Sequence, residues 1–245
     1  MTSDILVAAA NAAQRPRPKL ILPIGSDRTG KTFWSRWLID RAAQTVSPLL
    51  IIEGDTINPG LAPHYAAALI APPFPDDQPA WLEQTLDTAV ITTRRSALLD
   101  LGQQLFGLTH WLAEVPLKEA LEENGVDLVA VCLLTPDPYS HPRLPYLLEL
   151  IRPTRTLIVL NEWGFDGPKA RAAFAPILAD PIVDAQRAAG ARIVAMPHLE
   201  EADALDAIRA HARTGASGAT KEHPAVSAWL TQMDHNFAPV ADWLD

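Results

Sequence analysis

The chain has 245 residues with a formal net charge of −9, and 48% of its residues are apolar and 20% charged. This length and composition suit one large soluble α/β domain, and no apolar run approaches the ~20 residues that span a bilayer. Because 29 acidic residues outnumber 20 Lys and Arg, the charge argues against direct DNA binding, which depends on basic side chains. The single cysteine, Cys132, excludes an internal disulfide, and we expect a buried thiol in a cytoplasmic protein.

Six apolar runs are predicted to form strands, at residues 19–24, 49–52, 97–101, 128–134, 156–160 and 192–196. Near-continuous Val, Ile and Leu is typical of a parallel strand that is buried on both faces. Helical patterns lie between the runs, at residues 33–39, 81–90, 117–121, 144–151, 170–178 and 202–212. The alternation predicts a doubly wound, mainly parallel α/β sheet with helices on both faces.

The sequence predicts that the chain consists of three segments. They are an N-terminal segment at 1–18, the sheet domain at 19–213, and a flexible joint with a C-terminal helix at 214–245. The apolar residues of that last helix are Val226, Trp229, Leu230 and Met233. We expect the helix to cap the domain or to dock a partner.

Two further stretches carry predictions about the surface. Residues 71–79 hold four prolines and are predicted to form a loop without regular structure. The basic residues Arg15, Arg17 and Lys19 are predicted to form an ordinary solvated cluster.

A phosphate-binding loop is predicted at residues 25–32, which match the pattern G-x-x-x-x-G-K-[ST]. Its residues are Gly25, Ser26, Asp27, Arg28, Thr29, Gly30, Lys31 and Thr32. The first predicted strand leads into this loop and a helical pattern follows it, so backbone N–H groups and a helix N-terminus can surround a phosphate. We expect Lys31 to reach the terminal phosphates of a nucleotide and Thr32 to place its hydroxyl on Mg²⁺.

Acidic residues end two of the predicted strands, where ligands of parallel α/β sheets bind. Glu53 and Asp55 lie two residues apart on one side of an extended chain, so both can point at a terminal phosphate and its metal. Asp100, followed by Gly102, is typical of the strand-end aspartate that holds Mg²⁺. The candidate metal ligands are therefore Thr32, Glu53 and Asp100, and the alternative for each acid is a cap on the next helix.

Polar residues also follow the last two predicted strands. Asn161 ends one of them, and its amide offers the donor and the acceptor that suit an adenine edge. Pro197 and His198 end the other. A simple turn is an equally good interpretation of both strand ends.

These segments together resemble the ParA/MinD-type P-loop ATPases, and within them the TraL/StbB-like proteins of plasmid conjugation and stability. The resemblance covers roughly residues 19–210. It is carried by the loop at 25–32, by residues 53–59 in the place of the family's switch segment, and by residues 100–103 and 160–164.

The resemblance implies ATP and Mg²⁺ as ligands, with Lys31 and Asp55 as the catalytic residues and Asp55 orienting the attacking water. It gives Asn161 and Pro197 the positions that contact adenine. It also implies a homodimer and a protein partner in plasmid transfer or segregation.

The interior of the loop departs from the family. Ser26 stands where the family has a lysine that reaches across an ATP-bound dimer, and Asp27 and Arg28 replace two glycines. Three functions therefore stay open. The first is a slow Mg-ATPase switch whose hydrolysis releases ordered segments that a partner reads. The second is a nucleotide-responsive interaction module without significant hydrolysis. The third is a small-molecule kinase, in which a strand-end carboxylate accepts a hydroxyl proton.

Overall fold

Seven parallel strands make up the sheet in the part of the chain that the computed structural model describes, which is residues 16–71, 78–102, 105, 109–165, 167–199 and 224–245. The strands are β1 (Lys19–Ile24), β2 (Leu50–Glu53), β3 (Leu69–Ile70), β4 (Ala97–Asp100), β5 (Asp127–Leu134), β6 (Arg155–Asn161) and β7 (Arg192–Met196). They lie in the order β3-β2-β4-β1-β5-β6-β7, and every neighbouring pair is parallel. The predicted fold class is confirmed.

The described helices are α1 (Lys31–Ala42), α2 (Ala62–Tyr65), α3 (Gln78–Thr85), α4 (Thr109–Glu114), α5 (Leu117–Glu123), α6 (Leu144–Ile151), α7 (Gly167–Leu178), α8 (Pro181–Ala188), α9 (Pro224–Phe237) and α10 (Ala241–Leu244). Helices α1 to α8 lie between consecutive strands, and α9 and α10 follow β7. A π-helical turn, Leu86–Ile91, continues α3, and a 3₁₀ turn, Ala238–Val240, joins α9 to α10. None of the helices in the described ranges is long and apolar enough to cross a bilayer.

Most of the predicted elements are present, with ends that differ by a few residues. The strand β3 was not predicted, because a two-residue strand leaves no apolar run to recognise. The predicted loop at 71–79 is wrong at Gln78 and Pro79, which begin α3, since proline is tolerated in the first turn of a helix. Residues 72–77 and the predicted helix at 202–212 lie outside the described residues, and so does the predicted boundary at 213.

The sheet separates two apolar cores, as β1 illustrates. Leu20, Leu22 and Ile24 belong to the core on one face, while Ile21 belongs to the core on the other. The first core is completed by side chains of α3 to α8, and the second by side chains of α1, α2, α9 and α10. Both faces of the sheet are thus covered by helices. This explains why the strand sequences are nearly continuous apolar runs. Cys132 is fully buried in the first core, and burial raises the pKa of its thiol to about 12.

The C-terminal helices pack on α1 and on the edge of the sheet. The rings of Trp37 and Phe237 are 4.6 Å apart, and those of Phe33 and Trp229 are 5.3 Å apart. Lys19 is 6% exposed and donates a hydrogen bond to the backbone carbonyl of Asp245. The prediction that Lys19 belongs to a solvated cluster is therefore wrong, because the C-terminal segment covers it.

Candidate functional site

The predicted phosphate-binding loop joins β1 to α1 and closes around its own lysine. Lys31 Nζ donates to the carbonyls of Gly25 and Ser26, at 3.1 and 2.8 Å. Gly30 has a φ of 91°, and a Cβ on it would lie 2.5 Å from Asn161 Nδ2, so both its conformation and its packing require glycine. The loop has the layout of the P-loop NTPase fold, with a strand before it and a 12-residue helix after it.

The charged residues of the loop differ in exposure, because Lys31 is enclosed by loop carbonyls while Asp27 and Arg28 are exposed. Burial lowers the pKa of Lys31, and the charges of Asp100, Asp27 and Asp55 oppose this shift, Asp100 most strongly. Asp27 and Arg28 are exposed at the tip of the loop, where Arg28 adopts a left-handed backbone with a φ of 59°. Of the three residues that depart from the resembled family, Asp27 and Arg28 are thus exposed, while Ser26 is half-buried.

Glu53 has both of its carboxylate oxygens engaged. Glu53 Oε1 accepts from the backbone N–H of Leu61 at 2.7 Å, and Oε2 accepts from that of Ala62 at 2.8 Å. The residue is 2% exposed, and burial raises the pKa of its carboxyl in spite of these two N–H donors. The arrangement matches the alternative in which a strand-end acid caps the next helix, here α2. The metal role of Glu53 stays a prediction.

Asp100 is the strand-end carboxylate next to Lys31. It is 3% exposed, it pairs in register with Glu53 across β2 and β4, and its Oδ1 accepts from the N–H of Gly102 at 3.0 Å. Burial raises the pKa of this carboxyl, while the Gly102 N–H and the Lys31 charge act in the opposite direction and Asp55 adds to the rise. Asp100 and Lys31 therefore lie close enough for their charges to interact, and the metal role of Asp100 stays a prediction.

Asp55 and Gly60 belong to the segment between β2 and α2. Asp55 Oδ1 accepts from the N–H groups of Ile57 and Asn58, at 3.0 and 2.9 Å. A Cβ on Gly60 would lie 2.8 Å from Thr32 Oγ1, so this glycine packs directly on the hydroxyl that is predicted to hold Mg²⁺. Gly60 was not predicted as a site residue, since nothing local in the sequence indicates that it meets Thr32, 28 positions earlier.

Asn161 links the end of β6 to the phosphate-binding loop by a hydrogen bond. Its Nδ2 donates to the carbonyl of Thr29 at 2.9 Å, and its Oδ1 accepts from the N–H of Trp163 at 3.1 Å. The carbonyl of Pro197 accepts from Trp229 Nε1 at 2.8 Å, and both Asn161 and Pro197 are buried. The structure gives Asn161 a positioning role that the sequence did not predict, and the adenine contacts of both residues stay predictions.

The described residues contain no group of three or more His, Cys, Asp or Glu that could by itself hold a metal ion. A cavity of about 390 Å³ lies against Gly25, Ser26 and Asp27 and is bounded on its other side by Tyr139 and Arg143. The site is thus an open one, at the carboxyl edge of the sheet.

Comparisons with known proteins add little to this geometry. No family model and no curated protein sequence matches the chain. Among solved structures, the signal recognition particle receptor FtsY from Elizabethkingia anophelis in complex with GDP is similar at 14% sequence identity and a TM-score of 0.46. The match covers 69% of this chain and 54% of that structure, about half of its length. The fold assignment rests on the sheet order and the loop.

Proposed function

We propose that this chain binds a magnesium–nucleoside triphosphate at the loop Gly25–Thr32 and acts as a nucleotide-dependent switch, with ATP as the nucleotide. The observation that carries the proposal is the loop itself. Its lysine is enclosed by loop carbonyls, and the loop leads into the N-terminus of a 12-residue helix. Backbone N–H groups and the positive end of the helix together favour a bound polyphosphate.

Thr32 and Asp100 are the residues that fit a magnesium ion. A hydroxyl and a buried carboxylate beside the loop are hard oxygen donors, which this cation prefers. Mg²⁺ in nucleotide sites takes only one or two protein ligands and completes its shell with phosphates and water, so a protein cage is not required. When bound, the ion neutralises negative charge on the phosphates.

The segment from Glu53 to Leu61 supplies the element that can switch. Gly60 lies against the Thr32 hydroxyl, so a cation bound to this hydroxyl would lie beside the segment, and the next residue, Leu61, donates its N–H to Glu53. Ile57, in the same segment, is 72% exposed and its N–H is held by Asp55. A bound nucleotide and its cation can thus bias the order of a segment that carries an exposed apolar side chain, and a partner can read that change.

The proposal also covers the hydrolysis of ATP and the identity of the partner. Asp55 is the residue we assign to water orientation, while Ser26 in the family's lysine position favours binding without significant turnover. A role in plasmid transfer or maintenance, a homodimer and a protein partner are proposed on the sequence resemblance. A kinase function is the less favoured alternative, since its strand-end base would be Glu53, whose oxygens already hold α2.

Calorimetric titration of the full chain with Mg-ATP tests the binding step. We expect the wild type to bind and Lys31→Ala to abolish binding while it stays folded by circular dichroism. Lys118→Ala is the control, since this lysine lies on α5 and pairs with Glu122. A wild type that binds neither Mg-ATP nor Mg-GTP would contradict the proposed function.

Measurement of steady-state phosphate release then distinguishes an ATPase switch from an interaction module that binds the nucleotide without significant hydrolysis. If the chain hydrolyses ATP, Asp55→Ala should remove phosphate release and leave Mg-ATP binding intact. No release above background from the wild type, with candidate partners supplied, would favour the module.

A further inference from the structure

We infer that Trp163 forms a stacking platform for the purine base of the nucleotide. This inference rests on the proposed nucleotide binding and adds to it the residue that holds the base. It concerns a side chain outside the loop, at the carboxyl end of β6.

The second half of the loop lies against the ends of β6 and β7. Asn161 Nδ2 donates to the Thr29 carbonyl, and a Cβ on Gly30 would lie 3.3 Å from Met196 Cε as well as 2.5 Å from Asn161. Glu53 and Asp100 end β2 and β4, which lie on the other side of β1. The terminal phosphates and their cation belong on that acidic side, so the base leaves the loop toward β6 and β7.

Trp163 is held firmly at this place. Its backbone N–H donates to Asn161 Oδ1, and the N–H of Gly164 donates to His198 Nδ1 at 3.1 Å. The indole meets the His198 ring edge to face, with 5.3 Å between centroids and an interplanar angle of 88°. One side of the indole is therefore supported by the end of β7.

Trp163 is nevertheless exposed to solvent. The chain has seven tryptophans, and Trp163, at 49% exposed, is the one whose side chain is exposed, while the others are buried or half-buried. A large aromatic ring that is fixed by its neighbours and still exposed offers a flat apolar face at no further ordering cost. Every nucleobase has a π-face, so such a ring binds a base by stacking.

The test compares a ligand that has a base with one that lacks it. Full-length wild type, Trp163→Ala and Trp163→Phe are titrated with Mg-ATP and with Mg-tripolyphosphate by calorimetry. Base–aromatic stacking of about 1–3 kcal/mol corresponds to a rise of about 5- to 150-fold in the Kd of Trp163→Ala for Mg-ATP. The Kd for Mg-tripolyphosphate should not change, because the bond from Asn161 to the loop is retained, and Trp163→Phe should keep most of the Mg-ATP affinity.

Tyr146→Ala is the matched control, since this tyrosine on α6 is 54% exposed, and it should change neither Kd. If Trp163→Ala binds Mg-ATP with the same Kd as the wild type, the inference that Trp163 stacks on the base is wrong, while the proposed function is unaffected. An equal loss of affinity for both ligands would also overturn the platform, because it would show a structural role in shaping the loop. If the wild type binds neither ligand, the proposed function fails and this inference fails with it.

Discussion

Asp100 and Lys31 are two charges of opposite sign at the edge of the sheet, where the fold buries Asp100 almost completely and Lys31 in part. Burial raises the pKa of Asp100 and lowers that of Lys31, and each charge partly opposes the shift of the other. Both groups are thus moved toward their neutral forms, which means that the charged site costs folding stability. Perturbed groups of this kind are concentrated at functional sites, where stability is given up for binding or chemistry.

Replacing Asp100 by asparagine should therefore stabilise the protein at neutral pH. Between the ordinary carboxyl pKa of 3.8 and the raised pKa in the fold, the folded state binds more protons than the unfolded state. Stability then falls as the pH rises through this window, and the full cost is present above it. The asparagine side chain would be uncharged throughout, and its oxygen can still accept from the Gly102 N–H.

Thermal unfolding of wild type and Asp100→Asn from pH 7 downward measures this effect. We expect a higher Tm for the variant at pH 7 and a difference that shrinks as the pH approaches 3.8. Glu149→Gln on the exposed face of α6 is the control and should track the wild type. A variant that is less stable than the wild type at pH 7 would show that the Lys31–Asp100 attraction exceeds the cost of burial.

The short helix α2 and the segment before it depend on one carboxylate, that of Glu53. Leu61 is fully buried, so its N–H has no water to bond if Glu53 is removed. Glu53→Gln keeps one oxygen acceptor and Glu53→Ala keeps none, while both variants lack the charge. The alanine variant should therefore be less stable than the glutamine variant by about 1–3 kcal/mol, the cost of a buried unsatisfied group. Urea unfolding of the two variants measures this difference.

The same pair of variants distinguishes the cap from a metal ligand. If Glu53 is a cap only, the Mg²⁺ dependence of nucleotide binding should be retained in Glu53→Gln. If nucleotide binding instead loses its Mg²⁺ dependence completely in both Glu53→Gln and Glu53→Ala, the result would support the predicted metal role. The exposed pair Glu119→Gln and Glu119→Ala serves as the control, because Glu119 pairs with the exposed Arg152 and the two changes should differ little.

The strands and the loop could be predicted from the sequence because their signals are local. A strand buried on both faces must be almost entirely apolar, and β5 shows this in every residue from Leu128 to Leu134. The roles of Glu53 and Asn161 could not be predicted, because their partners are set by the tertiary fold. Asn161 bonds a carbonyl 132 positions earlier, and a strand-end carboxylate looks the same in sequence whether it caps a helix or binds a metal.

The C-terminal segment packs on the face of the sheet that carries α1. Arg41 of α1 pairs with the side chain of Asp245 at 2.8 Å, and Arg155 of β6 pairs with Asp242 at 3.2 Å. These ion pairs are partly exposed, so each contributes little by itself. The apolar contacts beneath them carry the attachment, and because α1 begins at Lys31, they also support the helix on which the loop is built.

Phe237 is the side chain in this attachment whose loss should cost most. It is 2% exposed, and its ring lies 4.6 Å from that of Trp37 and 6.5 Å from that of Trp34. Phe237→Ala removes the ring and leaves a cavity against two α1 tryptophans that cannot collapse into it, so we expect a loss of about 3–5 kcal/mol. For a domain of this size that corresponds to a drop in Tm of about 6–20 °C. Val46→Ala, at a fully exposed position, is the control and should stay within about 0.5 kcal/mol of the wild type. A Phe237→Ala variant as stable as that control would contradict the packing of α9 on α1.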